Sequence, residues 1–186
     1  MENATSSGLT SNLPVPPEIW MLPGGAEATM RPIRPEDAAI EQEFVRRLSP
    51  ESRYFRFMAK MRELTPEMLE HFTHIDPRRE MALIVTVVQE GVETEIAVGR
   101  YAASLDGEAC EFAIAVADAW QHKGIARRVM QALIRHARER GIKRMDGFVL
   151  ALNTKMFGLM HTLGFESHRD PEDSTLRIFS KQLQAD

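Results

Sequence analysis

One cysteine, Cys110, stands in a chain of 186 residues, so no internal disulfide framework is available and a reducing, cytoplasmic setting is expected. No apolar run approaches the ~20 residues needed to cross a bilayer. The start of the chain has no basic segment followed by an apolar one, so no secretory leader and no membrane partner are expected. Cys/His clusters with metal spacing are missing, and no metal is expected. A formal net charge of -4 speaks against general nucleic-acid binding. Two familiar phosphate loops are absent as well: neither G-x-G-x-x-G nor G-x-x-x-x-G-K-[ST] occurs. Nor is there an internal repeat at a solenoid period.

What remains is a composition of 44% apolar and 27% charged residues, which suits a globular domain. Residues 14–186 are expected to form that one domain, after a Ser/Asn/Thr-rich, disordered tail over residues 1–13. Two strand-like stretches, Glu18 to Leu22 and Ala28 to Ile33, flank the turn Pro23-Gly24-Gly25. A helix with the apolar face Ile40, Phe44, Val45 and Leu48 follows. Ser49-Pro50 and Thr65-Pro66 each pair an N-cap with a proline at N1, predicting two short helices. After Pro77 the pattern turns to strands: Met81 to Gln89, Glu95 to Leu105, and one holding Glu111. A helix, a strand from Arg144 to Leu152, a helix, and a strand from Leu176 to Gln182 complete a mixed α/β order.

The informative junction is Trp120 to Ala126. Upstream, Cys110 to Ala117 is apolar enough for a buried strand. Downstream, Ile125, Val129, Met130, Leu133 and Ala137 recur at helical spacing, and Gly141 marks a stop. A small-residue turn between strand and helix leaves amides free at the positive end of a helix dipole, which is a phosphate site. Gly124 and Ala126 let a diphosphate close to the backbone, while Lys123, Arg127 and Arg128 add positive charge. A phosphate-bearing ligand is the expectation.

Gln121-x-x-Gly124-x-Ala126 resembles the [QR]-x-x-G-x-[GA] pyrophosphate loop of the GNAT superfamily of acyl-CoA N-acyltransferases. Asn153 to Phe165, which ends in Leu-Gly-Phe, is similar to that family's second signature helix. The resemblance implies an α/β fold with a mostly antiparallel sheet, a splayed parallel strand pair and flanking helices. It also implies acetyl-CoA as cosubstrate. Its diphosphate would lie on Gln121, His122, Lys123, Gly124, Ile125, Ala126 and Arg127, and its pantetheine arm would bond the backbone of Ile114 and Val116. An N–H of Ala115 or Val116 would face the thioester carbonyl, a contribution of roughly 3 kcal/mol where one such donor has been removed from an enzyme. Asn153 has two readings, a bond to pantetheine or a cap on its own helix.

An amine must lose a proton before it attacks, since a lysine is about 99.9% protonated at neutral pH. Glu111, set in an apolar strand, is the candidate base; its other reading is a solvent-side residue beside Ala113, Ala115 and Ala117. Arg31 to Asp37, Leu48 to Phe57 and the strand of Glu111 resemble the acetyltransferase domain of Pat-type protein lysine acetyltransferases, in which a strand Glu acts as base. That resemblance covers residues 17–182 and implies a protein lysine as acceptor. The alternatives are a small amine or amino acid, or a module that binds acyl-CoA without transfer, with the oligomeric state left open. It also implies that Arg53, Tyr54 and Arg56 lie near the acceptor site, though packing or surface roles explain them equally.

Two departures from the family stand out. The regulatory regions that larger Pat-type proteins carry ahead of this domain do not fit in a chain of this length. Met160 occupies the place of a tyrosine that many members use to protonate the CoA thiolate, which leaves His161, Tyr101 and Tyr54 as possible replacements. Cys110 reads as a small buried side chain, with a thiol nucleophile as the lesser alternative.

Overall fold

The computed structural model describes residues 15–183; the tail over residues 1–13, read above as disordered, lies outside the described residues. Strands β1 (Glu18–Met21) and β2 (Glu27–Pro32) form the expected hairpin, closed by Leu22 N–H donating to the Ala26 carbonyl at 2.8 Å. Helices α1 (Ala38–Arg47), α2 (Pro50–Phe57) and α3 (Pro66–Thr73) follow. The caps act as the sequence predicts. Ser49 Oγ accepts from Ser52 N–H at 3.1 Å and Thr65 Oγ1 from Met68 N–H at 3.2 Å, each ahead of a proline whose missing N–H costs nothing there.

Strands β3 (Glu80–Gln89), β4 (Val92–Ala103) and β5 (Ala109–Val116) run antiparallel in sequence order. Helix α4 (Ile125–Glu139) then crosses to β6 (Arg144–Leu150), which lies parallel to β5. Helix α5 (Thr154–Thr162) leads to β7 (Glu166–Arg169) and β8 (Leu176–Gln182). The sheet order is β1-β2-β3-β4-β5-β6-β8-β7. The mixed α/β class and its single parallel pair are as expected. Several details differ, the end of β4 at Ala103 rather than Leu105 among them. Strand β4 begins at Val92 rather than Glu95, β6 stops at Leu150, and β7 was not foreseen, because Glu-Ser-His-Arg is short, polar and without alternation.

Each sheet face is covered by a separate cluster. Helices α4 and α5 pack on one face through Val129, Met130, Leu133 and Met160, all fully buried. Phe44, Val45 and Leu48 cover Ala82, Ile84 and Val98 on the other, and Met68, Leu69 and Phe72 are half-buried beside them. Burying a side chain such as Leu133 contributes roughly 1.5–3 kcal/mol. The close fit shows at two glycines. At Gly99 a Cβ would overlap Val129 of α4, and at Gly147 it would overlap the ring of Phe112.

Gly147 sits where β5 and β6 begin to part, so its lack of a side chain lets Phe112 close the sheet beneath the gap. Gly147→Ala is expected to lower stability by about 1–3 kcal/mol through overpacking of a ring that is itself buried. Urea unfolding with an unchanged m-value checks this; a midpoint equal to the unsubstituted protein would show that Phe112 moves freely.

Candidate active site

Pairing between β5 and β6 covers only Ala109 with Arg144, Cys110 with Met145, and Glu111 with Asp146. Beyond Glu111 the strands separate. Ala117 N–H donates to the Ile96 carbonyl of β4 at 2.9 Å. Amides alternate along a strand, so that of Ala115 also points to β4, while those of Phe112, Ile114 and Val116 point into the gap. Of the two amides considered for the thioester carbonyl, Val116's is therefore on the open side. The Val116 carbonyl accepts from Gln121 Nε2 at 3.2 Å.

After Val116 a single 3₁₀ turn (Asp118–Trp120) leads into the loop. His122 (φ 61°) and Gly124 (φ 79°) both adopt the left-handed conformation. That combination turns successive amides the same way and forms a nest. The first bond of α4 is Arg128 N–H to the Gly124 carbonyl at 3.2 Å, and the amides of residues 122–127 find no acceptor among the described residues. A left-handed histidine is strained by about 1–3 kcal/mol, a cost tolerated where the backbone has a task. A Cβ at Gly124 would meet nothing within 4 Å, so the cradle is open. Its open amides and the helix dipole fit a diphosphate.

Asp118 fastens this loop to α2. Its carboxylate accepts from Ser49 N–H at 2.9 Å, Ser49 Oγ at 2.8 Å and Ser52 Oγ at 2.8 Å. Those bonds hold its pKa below the usual carboxylate range, against the opposing cost of burial. Helix α2 thereby roofs a cavity of about 280 Å³ over the nest. A narrower cavity of about 210 Å³ occupies the gap between β5 and β6, with Ile114, Asn153 and Met156 shared between the two. A third, open groove of about 1130 Å³ lies past it, sharing Glu111, Phe112 and Ala113 with the narrow one. The three lie in a row, each sharing wall residues with the next.

Glu111 stands at the junction of the gap and the groove, opposite Asp146 in register. It is exposed to solvent yet flanked by protein. Partial burial first, then the neighbouring Asp146 carboxylate, raises its pKa above the ordinary value, while Arg56 opposes the rise. Asp146 is held by Arg144 Nε at 2.8 Å, and its other oxygen has no partner. A carboxylate with a raised pKa at the meeting of two cavities is suited to accept a proton.

Most residues named from the sequence line these cavities. Ile114, Ala115, Val116, Gln121, His122, Gly124, Ile125, Ala126, Arg127 and Asn153 all face the loop cavity. Lys123 does not; its ammonium lies 5.9 Å from the centre of the Trp120 ring. Arg128 leaves the loop altogether, held by Glu18 at 3.9 Å and stacked on Trp20 at 4.5 Å. The capping reading of Asn153 holds, because its Oδ1 accepts from Met156 N–H at 3.3 Å, and the residue also lines the cavity. Sequence reasoning passed over Ser52, Phe55 and Lys155, which complete the walls. Asp118 and the Ser49-Pro50 cap were the only local signs that α2 is pinned here.

Of the candidate proton donors, Tyr101 lines the open groove, with its side chain almost fully buried. Tyr101 Oη is 2.7 Å from His136 Nδ1, and burial raises the tyrosine pKa and lowers that of the histidine. Met160 is fully buried, and His161 packs on Phe179. Neither His161 nor Tyr54 lines any of the three cavities. Burial pushes the Cys110 thiol up to about 12, which leaves it inert as a nucleophile. Among the described residues, no helix is long and apolar enough to cross a membrane.

Residues 42–165 match the acetyltransferase (GNAT) family. An acetyltransferase of Pseudomonas aeruginosa is 35% identical over 175 residues, which cover 94% of each chain. The solved GNAT domain of PAT from S. lividans superposes with a TM-score of 0.80 at 29% identity, over 89% of this chain and 96% of that one. A cAMP-binding acyltransferase from Mycobacterium smegmatis shares the fold, with a TM-score of 0.62 at 24% identity over 91% of this chain and 48% of its own.

Proposed function

Because this chain belongs to the acetyltransferase (GNAT) family and is an N-acetyltransferase, we propose that it moves an acetyl group from acetyl-CoA to a lysine side chain of a protein, with Glu111 as general base. The observation that carries this reading is the row of cavities, each sharing wall residues with the next, that leads from the free amides of residues 122–127 past the strand gap to Glu111.

Each part of the row has a task. The loop amides and Arg127 bind the diphosphate, and the open edge of β5 at Ile114 and Val116 bonds the peptide-like arm, helped by Asn153. Bound acetyl-CoA supplies an activated acyl carbon as its thioester. The Val116 amide points at the gap in which that carbon would lie. Glu111 takes the amine proton directly or through a water, and its raised pKa brings it nearer the operating pH. The acceptor assignment draws on the Pat-type resemblance. It also draws on the groove, whose volume exceeds the upper end of common small-molecule pockets, roughly 1,000 Å³. We place the reaction in the cytoplasm, in keeping with one buried, unreactive thiol.

The test is a lysate incubated with the protein and acetyl-CoA, followed by mass-spectrometric mapping of acetylated lysines. Enzyme-dependent marks on protein lysines, lost with Glu111→Gln, are the expected outcome. Transfer to small amines alone, with none to any protein, would move the acceptor to that class and end the protein-lysine assignment.

A further inference from the structure

With Met160 unable to donate a proton and Tyr101 buried against His136, no tyrosine lines the loop cavity or the strand gap. We propose that Arg56 of α2 takes this role, holding the CoA sulfur as a thiolate by its fixed positive charge. The inference rests on the acyl-CoA reading above.

Arg56 alone lines all three cavities, the loop cavity, the strand gap and the acceptor groove. No hydrogen bond or ion pair engages it among the described residues, and its Nε is buried without a partner. Its contacts are aromatic: Phe57 at 4.9 Å and Phe72 at 5.8 Å from the ring centres. Arg56 is half-buried, and a cation that gives up water without gaining an anion bears a desolvation cost. Burial first, then the neighbouring Arg100, pulls its pKa down to about 10, while Glu41 and Glu111 oppose the fall.

The charges facing it come from three elements. Glu41 of α1 is matched with Arg100 of β4 at 3.7 Å. Glu95 of β4 is fully buried, and that burial, then the nearby Glu41, raises its pKa well above the usual range. Glu111 of β5 is the carboxylate that acts on Arg56 and shares two of its cavities. Among residues lining the strand gap, only Arg56 and Asn153 carry side-chain N–H groups.

The transfer balances around this arrangement. Starting from a neutral amine, the nitrogen lone pair forms the C–N bond, and the C–S bond breaks with its electron pair kept on sulfur. The amine proton passes to Glu111. Negative charge thus moves from Glu111 to sulfur while Arg56 stays beside both. The proton on Glu111 and the thiolate both leave to solvent on product release. Asp118 keeps α2, and with it Arg56, tied to the loop that holds the other end of the same ligand.

The test is the ionisation of CoA bound to the full protein, followed by ultraviolet thiolate absorbance against pH with desulfo-CoA as blank. An opposite charge within ~4–6 Å displaces a pKa by about 1–3 units. Bound CoA should therefore titrate at least about one unit below free CoA in the unsubstituted protein. Arg56→Gln should return it to the free value, and Arg56→Lys should keep part of the shift. A bound thiol that titrates at or above free CoA overturns the inference without any variant. An equal shift in Arg56→Gln overturns it too. Failure of desulfo-CoA to bind in calorimetry would instead overturn the acyl-CoA reading.

Discussion

Glu111→Gln lowers kcat by about 10²–10⁴-fold, the usual range for loss of a positioned general base, while acetyl-CoA binding persists. The separation follows from geometry. Glu111 lines the open groove and the strand gap but not the loop cavity proposed to take the diphosphate. Gln is nearly isosteric and keeps the local packing, yet it cannot accept the amine proton. Steady-state kinetics beside calorimetric titration of acetyl-CoA check the two halves. Unchanged turnover would remove Glu111 from the chemistry.

The same residue predicts a pH profile. As the proposed base, Glu111 must be a carboxylate, so activity should fall as pH drops through its pKa. That value is raised above 4.5 by burial and by Asp146. The acidic limb of kcat/KM should accordingly lie above the position expected of a free glutamate. Asp146→Asn removes the like charge and should move the limb to lower pH.

The second large effect is at the phosphate cradle. Gly124→Val should raise KM for acetyl-CoA by about 10- to 100-fold. A β-branched residue at φ 79° carries about 1–3 kcal/mol of strain, and tenfold in affinity corresponds to about 1.4 kcal/mol. The loop escapes that strain only by turning its amides out of the nest. Space is not the issue, because a Cβ at Gly124 meets nothing within 4 Å. The backbone conformation alone is at fault. Gly158→Ala, on the exposed side of α5 with equal room, serves as the control and should leave KM unchanged. Saturation kinetics over acetyl-CoA concentration decide it; equal KM values for both variants would mean that the cradle does not bind the diphosphate.

Much of the loop site was legible in the chain itself. Alternation around Glu111 and helical spacing from Ile125 onward name a strand and a helix, and Gly124 between them names the turn. The caps at Ser49 and Thr65 behave as local chemistry requires, because an N-cap bond spans only three residues. Strand β7 escaped because four polar residues carry no period, and only its pairing with β8 makes them a strand. The position of Arg128 escaped for a different reason. Successive helical side chains leave at about 100° to one another, so Arg127 faces the cavity while Arg128 reaches Glu18 of β1.

Periodicity, caps and glycine placement are properties of neighbours along the chain, and they were enough to specify the strand, the nest and the helix. Arg56 and Asp146 draw their meaning from groups far away in sequence. Asp118 sets α2 over the cavity from 69 residues away, and β6 lays Asp146 across from Glu111 only where two strands part. Folding decides such meetings because charge and desolvation act through space, over a few ångströms, whatever length of chain lies between.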